Sequence, residues 1–253
     1  MNKFIKLCLR LSLVFTITGI VAITAAFVMG LNWNQLKEMV RNGEFSIDKE
    51  DLRGSSSSLK QDGYNKLDIE CKAGTVLIFY DNVDEIKIEQ QGIKNFKCDA
   101  NGDTLRISGG KKLFGNDSDG KITIRIPNGY IFKEIDMEIE AGQADIKDLC
   151  IEKFDIEVGA GQAILKNIDV TYMNAKTGAG QIQAELVGCA EDYQCDIECG
   201  VGEILIGDNS YSGLGRESHI ANPGSYRELD IECGVGQIVI QFQDSFLGGH
   251  HHV

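Results

Sequence analysis

Carboxylates offer the most chemistry in this 253-residue chain, and they recur as pairs two residues apart. Asp68 and Glu70, Asp136 and Glu138, Asp155 and Glu157, Asp196 and Glu198, and Asp230 and Glu232 all stand in a D-x-E arrangement. Two carboxylates on one side of a strand can hold a divalent cation or attract a basic polymer. In a cleft that separates their pKa values, they can act as the acid and base of glycoside chemistry. Imidazole is scarce, since His219 is the only histidine outside the last four residues. A triad or a zinc site needs an imidazole placed among partners. His250, His251 and His252 could chelate a soft divalent metal, but they follow Gly248-Gly249 at the end of the chain and read as a tail without function. The GAGQAIL stretch from Gly159 continues as a strand pattern, whereas a dinucleotide fingerprint opens a helix and runs on to a third glycine. No catalytic residue and no cofactor site is expected.

What positions the carboxylates is a repeat. The copies read LDIECKAGTVLIF from Leu67, IDMEIEAGQADIK from Ile135, FDIEVGAGQAILK from Phe154, MNAKTGAGQIQAE from Met173, CDIECGVGEILIG from Cys195 and LDIECGVGQIVIQ from Leu229. Their last glycines are Gly74, Gly142, Gly161, Gly180, Gly202 and Gly236, with the closest copies 19 residues apart. A period of this size signals a solenoid whose units bury their apolar faces only against their neighbours. Alternation is strict on both sides of each glycine, as in Phe154, Ile156 and Val158 before it and Ala163 and Leu165 after it. Each unit is therefore strand, glycine corner, strand, with glycine supplying positive φ or close backbone approach.

Stacking such units puts equivalent positions about 4.8 Å apart. Gln143, Gln162, Gln181 and Gln237, with Glu203 in the fourth of five slots, should form a hydrogen-bonded amide ladder just past the corner. The D-x-E pairs should form an outward acidic column that only Asn174 and Lys176 interrupt. Asp155, Glu157, Asp196, Glu198, Asp230 and Glu232 are the candidate surface for a weakly held divalent cation or a basic partner. The competing reading is a plain solvated face.

Eight cysteines invite a disulfide reading, yet Cys71, Cys199 and Cys233 occupy a core slot held by Ile139, Val158 and Thr177 in sister copies. Cys199 and Cys233 could lie within disulfide Cα range, although parallel side chains rarely present the needed dihedral. Cys98, Cys150, Cys189 and Cys195 have no evident partners, a usage that suits a reducing or anaerobic habitat.

The amino terminus is a separate physical object. Residues 11–34 carry no charge and are rich in Leu, Ile, Val, Phe and Ala, enough to span a bilayer. Lys3, Lys6 and Arg10 ahead of them should keep residues 1–10 cytoplasmic and put the bulk of the chain outside, although Lys37 and Arg41 weaken the asymmetry. A cleaved signal peptide is the rival reading; apolar sequence continuing through Phe27, Val28, Met29 and Leu31 favours an uncleaved anchor. Residues 35–63 read as a short juxtamembrane helix and a serine-rich linker, 64–247 as one extracytoplasmic domain, and 248–253 as a flexible tail. Within the domain, 85–90, 96–100, 104–108 and 121–126 are candidate strands without the corner motif, Asn101-Gly102 is a turn, and Gly109 to Gly120 is a loop. Gly207 to Arg227 should be a long loop or a divergent coil. The formal charge of −13 disfavours a nucleic-acid partner.

The recurring DIE-x-G-x-GQ units, the amino-terminal apolar run and the ITIRIPNG segment from Ile122 resemble the bacterial putative-adhesin β-strand-repeat family, also called toastrack domains. The closest likeness is to LiaG-like envelope proteins, and the resemblance covers about Leu67 to Phe242. It implies a cell-surface β-solenoid without known catalytic residues, associated with adhesion or envelope-stress signalling. The expectation is a mainly β protein: a single-domain parallel β-solenoid after a transmembrane helix, single-pass in the membrane of a Gram-positive-type cell. Its expected job is binding an envelope protein or polymer. The alternative is an accessory or sensor component of envelope-stress signalling, and an enzyme acting on wall polymers is the third reading.

Overall fold

The structure is a computed structural model that describes residues 55–58, 63–110, 120–212 and 215–243. The candidate membrane span at 11–34, the juxtamembrane helix and the histidine tail lie outside these residues. Among the described residues no helix is long and apolar enough to cross a membrane.

The strands in chain order begin with β1 (Ser55–Ser58), β2 (Lys66–Cys71), β3 (Gly74–Asp81), β4 (Lys87–Gln91), β5 (Lys97–Asn101), β6 (Thr104–Gly109), β7 (Lys121–Pro127), β8 (Phe132–Ile139) and β9 (Gly142–Lys147). They continue with β10 (Cys150–Val158), β11 (Gln162–Thr177), β12 (Gln181–Val187), β13 (Tyr193–Cys199), β14 (Glu203–Ile206), β15 (Asn209–Ser212), β16 (Arg216–Ile220), β17 (Arg227–Cys233) and β18 (Gln237–Gln243). A 3-10 turn at Ala190–Asp192 precedes β13. The strands form two ladders, one on either side of the glycine corners. Before the corner, β6, β2, β8, β10, the second half of β11, β17 and β13 pair in parallel in that order. After the corner, β7, β3, β9, the first half of β11, β12, β18 and β14 do the same.

The parallel stack expected from the repeat is present, but its ends are arranged differently. The coil formed by β6 and β7 lies outside that of β2 and β3, which precede it in sequence. The last coil, β17 and β18, slots between the β11–β12 coil and the earlier β13–β14 coil. Antiparallel strands close both ends: β5 on β6 and β4 on β7 at one, β16 on β13 and β15 on β14 at the other. The chain needs these excursions because an end coil presents a row of unpaired backbone groups, and a covering strand pairs them. Gly207 to Arg227, expected as a loop or divergent coil, is largely this cap. Ser55–Ser58, expected as linker, pairs antiparallel with β4; backbone pairing at an open edge does not depend on side-chain propensity.

Between the ladders the inward residues form one core. Ile69, Met137, Ile156, Ala175, Ile231 and Ile197 make one row, all buried. A fully buried aliphatic of this kind contributes roughly 1.5–3 kcal/mol. Arg227, at the start of the slotted coil, ties it to both neighbours. Its guanidinium donates to Asp169 Oδ1, to Tyr193 Oη and to the Val187 carbonyl, each at 2.7 Å. Burial pushes the Tyr193 phenol up to about 12.

The two edges of the coil use different devices. Of the six repeat-motif glycines only Gly74 has positive φ, at 132°; a Cβ on Gly142, Gly161, Gly202 or Gly236 would fall inside 3.0 Å of a neighbouring corner's carbonyl oxygen. Those glycines are required by close approach rather than by backbone conformation. At the opposite edge, Asp148 and Asn167 turn the chain at φ 57° and 56°, and Gly188 at 109°. Asn and Asp are the non-glycine residues that tolerate this region best.

Candidate functional site: an in-register acidic face

On the outer face of the pre-corner ladder, the backbone register stacks the D-x-E pairs directly. One row runs Asp68, Asp136, Asp155, Asn174, Asp230, Asp196; the next runs Glu70, Glu138, Glu157, Lys176, Glu232, Glu198. Asp155 and Glu157 thus lie on one side of the Asn174–Lys176 interruption. Asp230, Glu232, Asp196 and Glu198 lie on the other, with Asp196 and Glu198 at the end because of the slotted coil. Asp155 and Asp230 are half-buried; Glu157, Asp196, Glu198 and Glu232 are exposed. The inward neighbours Ile156 and Ile197 are buried.

Several cations sit against the face. Arg106 Nε meets Asp68 at 2.7 Å, Lys72 bridges Glu70 at 2.7 Å and Glu140 at 3.3 Å, and Lys176 meets Glu232 at 3.1 Å. Lys153 spans Asp155 at 2.5 Å and Glu134 at 3.1 Å. Its hydrogen bonds to Asp155 and Glu134 raise its pKa, while hydrogen bonds from Lys66 and Lys153 hold Glu134 below the ordinary carboxylate range. Asp136 and Glu138 stand between carboxylates on both sides with no ion pair among the described residues. Partial burial first, then Asp68 and Asp155, raise Asp136; partial burial, then Glu157 and Glu70, raise Glu138. Asn174 carries a buried side-chain oxygen with no hydrogen-bond partner, between Asp155 and Asp230.

The face ends in an open groove of about 390 Å³ lined by Asp196, Ile197, Glu198, Glu217, Ser218, His219 and Asp230. The sequence reading missed this groove, because Glu217 and His219 belong to the cap strand β16, outside the repeat. His219 Nδ1 lies 2.6 Å from Asp196 Oδ1. Ser218 does not complete a triad there, since it is paired with inward Ile197 while His219 is paired with outward Asp196. Nor is the groove lined by an aromatic ring that could stack on a sugar.

The outer face of the post-corner ladder carries the glutamines. Gln162 Nε2 donates to Gln181 Oε1 at 3.1 Å, Gln181 Nε2 to Gln237 Oε1 at 2.8 Å, and Gln237 Nε2 to Glu203 Oε2 at 2.9 Å. Glu203 occupies the last slot of the ladder rather than the fourth, because the later coil is slotted in ahead of it. An amide both donates and accepts and so suits an inner slot, whereas a carboxylate only accepts and suits the end. A second such chain at the opposite edge was not foreseen: Gln243 Nε2 donates to Asn167 Oδ1 at 2.5 Å and Asn167 Nδ2 to Asp148 Oδ1 at 2.6 Å.

All the described cysteines are free thiols. Cys71, Cys195, Cys199 and Cys233 are buried, Cys98 and Cys150 half-buried and Cys189 exposed. Burial pushes Cys71 and Cys195 up to about 11.

Stack, corners and capped ends define a repeat-built β domain of the solenoid class. Residues 64–244 match the family model Toastrack DUF4097, and the chain belongs to that family. Among solved structures it is similar to a putative cell adhesion protein from Clostridium sporogenes, at 18% identity and a TM-score of 0.54, covering 76% of this chain and 99% of that one. A putative adhesin from Bacteroides fragilis aligns at 14% identity and a TM-score of 0.27, covering 74% of this chain and 96% of that one. No curated protein matches the chain.

Proposed function

We propose that the chain is a membrane-anchored, extracytoplasmic β-repeat binding protein of the adhesin-like, LiaG-like kind, whose acidic face engages a cationic component of the cell envelope. The observation that carries this reading is the register of the face. Asp and Glu rows stacked at one strand spacing repel unless a counter-charge arrives, and internal cations reach only some of them. A basic polypeptide or polymer laid along the rows relieves repulsion at every level it covers, so affinity grows with length and falls steeply with salt. The apolar run at 11–34 supports anchoring, and the cations before it support an outward-facing domain.

The test is binding of a polylysine series to the full chain in nanodiscs. Affinity should rise with polymer length, fall with ionic strength, and weaken in Asp196→Asn/Glu198→Gln. Length-independent binding, or binding unchanged in that double variant, overturns the reading. Calcium and magnesium at fixed ionic strength provide the divalent arm: a rise in melting temperature beyond a monovalent control would reassign the face to cation binding.

A further inference from the structure

Cys199 and Cys233 close the inward rows of adjacent coils, opposite one another in parallel strands, and both are buried at 0% and 1% exposure. Burial raises the Cys233 pKa, and the Cys199 thiol and the backbone N–H groups of Glu203 and Gly236 lie near enough to act on its ionisation. A Cβ added to Gly202 would meet Cys233 Sγ at 2.5 Å, so the sulfur lies directly beneath the corner glycine. This pairing happens at one place among the described residues: Cys71 in the same slot has Ile139 and Gly109 as its neighbours.

Parallel in-register side chains start about 4.8 Å apart at Cα and point the same way, whereas a disulfide prefers a Cβ separation of about 3.8 Å and a dihedral near 90°. A single ion held linearly between two thiolates needs its sulfurs about 4.6 Å apart, twice a zinc–thiolate bond of about 2.3 Å. That separation is close to the strand spacing. The geometry points to a two-thiolate site for a soft monovalent metal ion of the Cu(I) class, formed by Cys199 and Cys233 between the last two coils. Thiolates select such ions over hard cations. On binding, each thiol loses its proton to solvent, two sulfur–metal bonds form and no electron is transferred. The bound group then carries one negative charge, which the nearby Glu203 and Gly236 N–H groups offset, with Arg216 paired beside Cys199 and Thr177 beside Cys233. Because the ion competes with two protons, its hold weakens as pH falls.

The experiment uses the full chain, reduced and metal-free, titrated with Ag(I) and with Cu(I) buffered by a competing chelator. Cys199→Val and Cys233→Val are native-like substitutions because Val158 fills the same slot in a sister coil. Metal-free melting of each is recorded first, and Cys→Ser replaces a variant that does not fold. The expected result is one more bound ion in the wild type than in either variant, a melting temperature raised by that ion, and a copper absorption spectrum of two-coordinate sulfur. Cys71→Val should retain all three. Equal stoichiometry in wild type and variants, a three- or four-coordinate spectrum, or recovery of residues 199 and 233 joined as a disulfide would overturn the site.

Discussion

On the outer face of the post-corner ladder, Gln162, Gln181, Gln237 and Glu203 stand one strand apart and hydrogen-bond from each to the next. On the outer face of the pre-corner ladder the same spacing stacks Asp68, Asp136 and Asp155, which cannot donate to one another and carry like charge. Backbone geometry is common to both faces; only the side chains differ. The glutamine row donates from Gln162 onward and ends on an acceptor, so it stabilises the stack from within, although Gln143, expected as its first member and in register with Gln162, makes no hydrogen bond to it among the described residues. The acidic rows are left open and depend on whatever cations reach them. Equal periodicity therefore does not mean equal role: one row supports the fold, and the other is where an external partner has something to gain.

The comparison assumes that the glycine corners hold both faces in one register. Gly161→Ala should therefore have the largest effect, above about 4 kcal/mol, because its Cβ would strike the Gly142 carbonyl and part the coils on both faces at once. A urea melt of a soluble, wild-type-like Gly161→Ala protein would break the close-approach account. Ile156→Ala should cost roughly 2–5 kcal/mol, while Asp155→Ala on the same strand should be close to neutral, since it removes the partly exposed Lys153 contact but also a like charge. Equal losses would break the assignment of inward and outward rows. Gln181→Leu removes a donor and an acceptor from the ladder and should cost about 1 kcal/mol. No loss there would make the glutamine row as dispensable as a solvated face.

Much of this arrangement was legible because it repeats. The Ile156 and Asp155 alternation, the Gly142, Gly161 and Gly180 spacing and the glutamine row are all local patterns copied from coil to coil, and a parallel in-register stack translates them directly into columns. The order of the coils was not legible. β17–β18 and β13–β14 carry nearly the same motif, so the pattern cannot say which lies inside. The choice is marked instead by single residues that the repeat does not share: Arg227, reaching Asp169 and Tyr193, and Glu203, fit only to end a ladder. The groove escaped for a related reason, since Glu217 and His219 reach Glu198 and Asp196 through an antiparallel cap that follows no period.

The smallest expected effect bears most directly on whether the acidic rows are open. Asp136 and Glu138 have pKa values raised above the ordinary 3.8 and 4.5, so in the window just above those values the folded state binds more protons than the unfolded chain. Stability from these two groups must then fall as pH rises through that window, and the loss persists at neutral pH. Glu134 works the other way: its pKa is lowered by Lys66 and Lys153, so its contribution is present above 4.5 and disappears as pH falls. Asp136→Asn with Glu138→Gln should therefore raise the melting temperature at pH 7 in low salt, each change relieving roughly 0.2–1 kcal/mol of cross-strand repulsion. The gain should shrink in high salt and vanish below about pH 3, where both carboxyls are protonated in either state. Glu134→Gln should lower the melting temperature at pH 7 instead. Thermal melts across pH and ionic strength separate the cases: if the double variant gains nothing at pH 7, or its gain survives in 1 M salt, the acidic rows are not under repulsion and the contrast with the glutamine ladder fails.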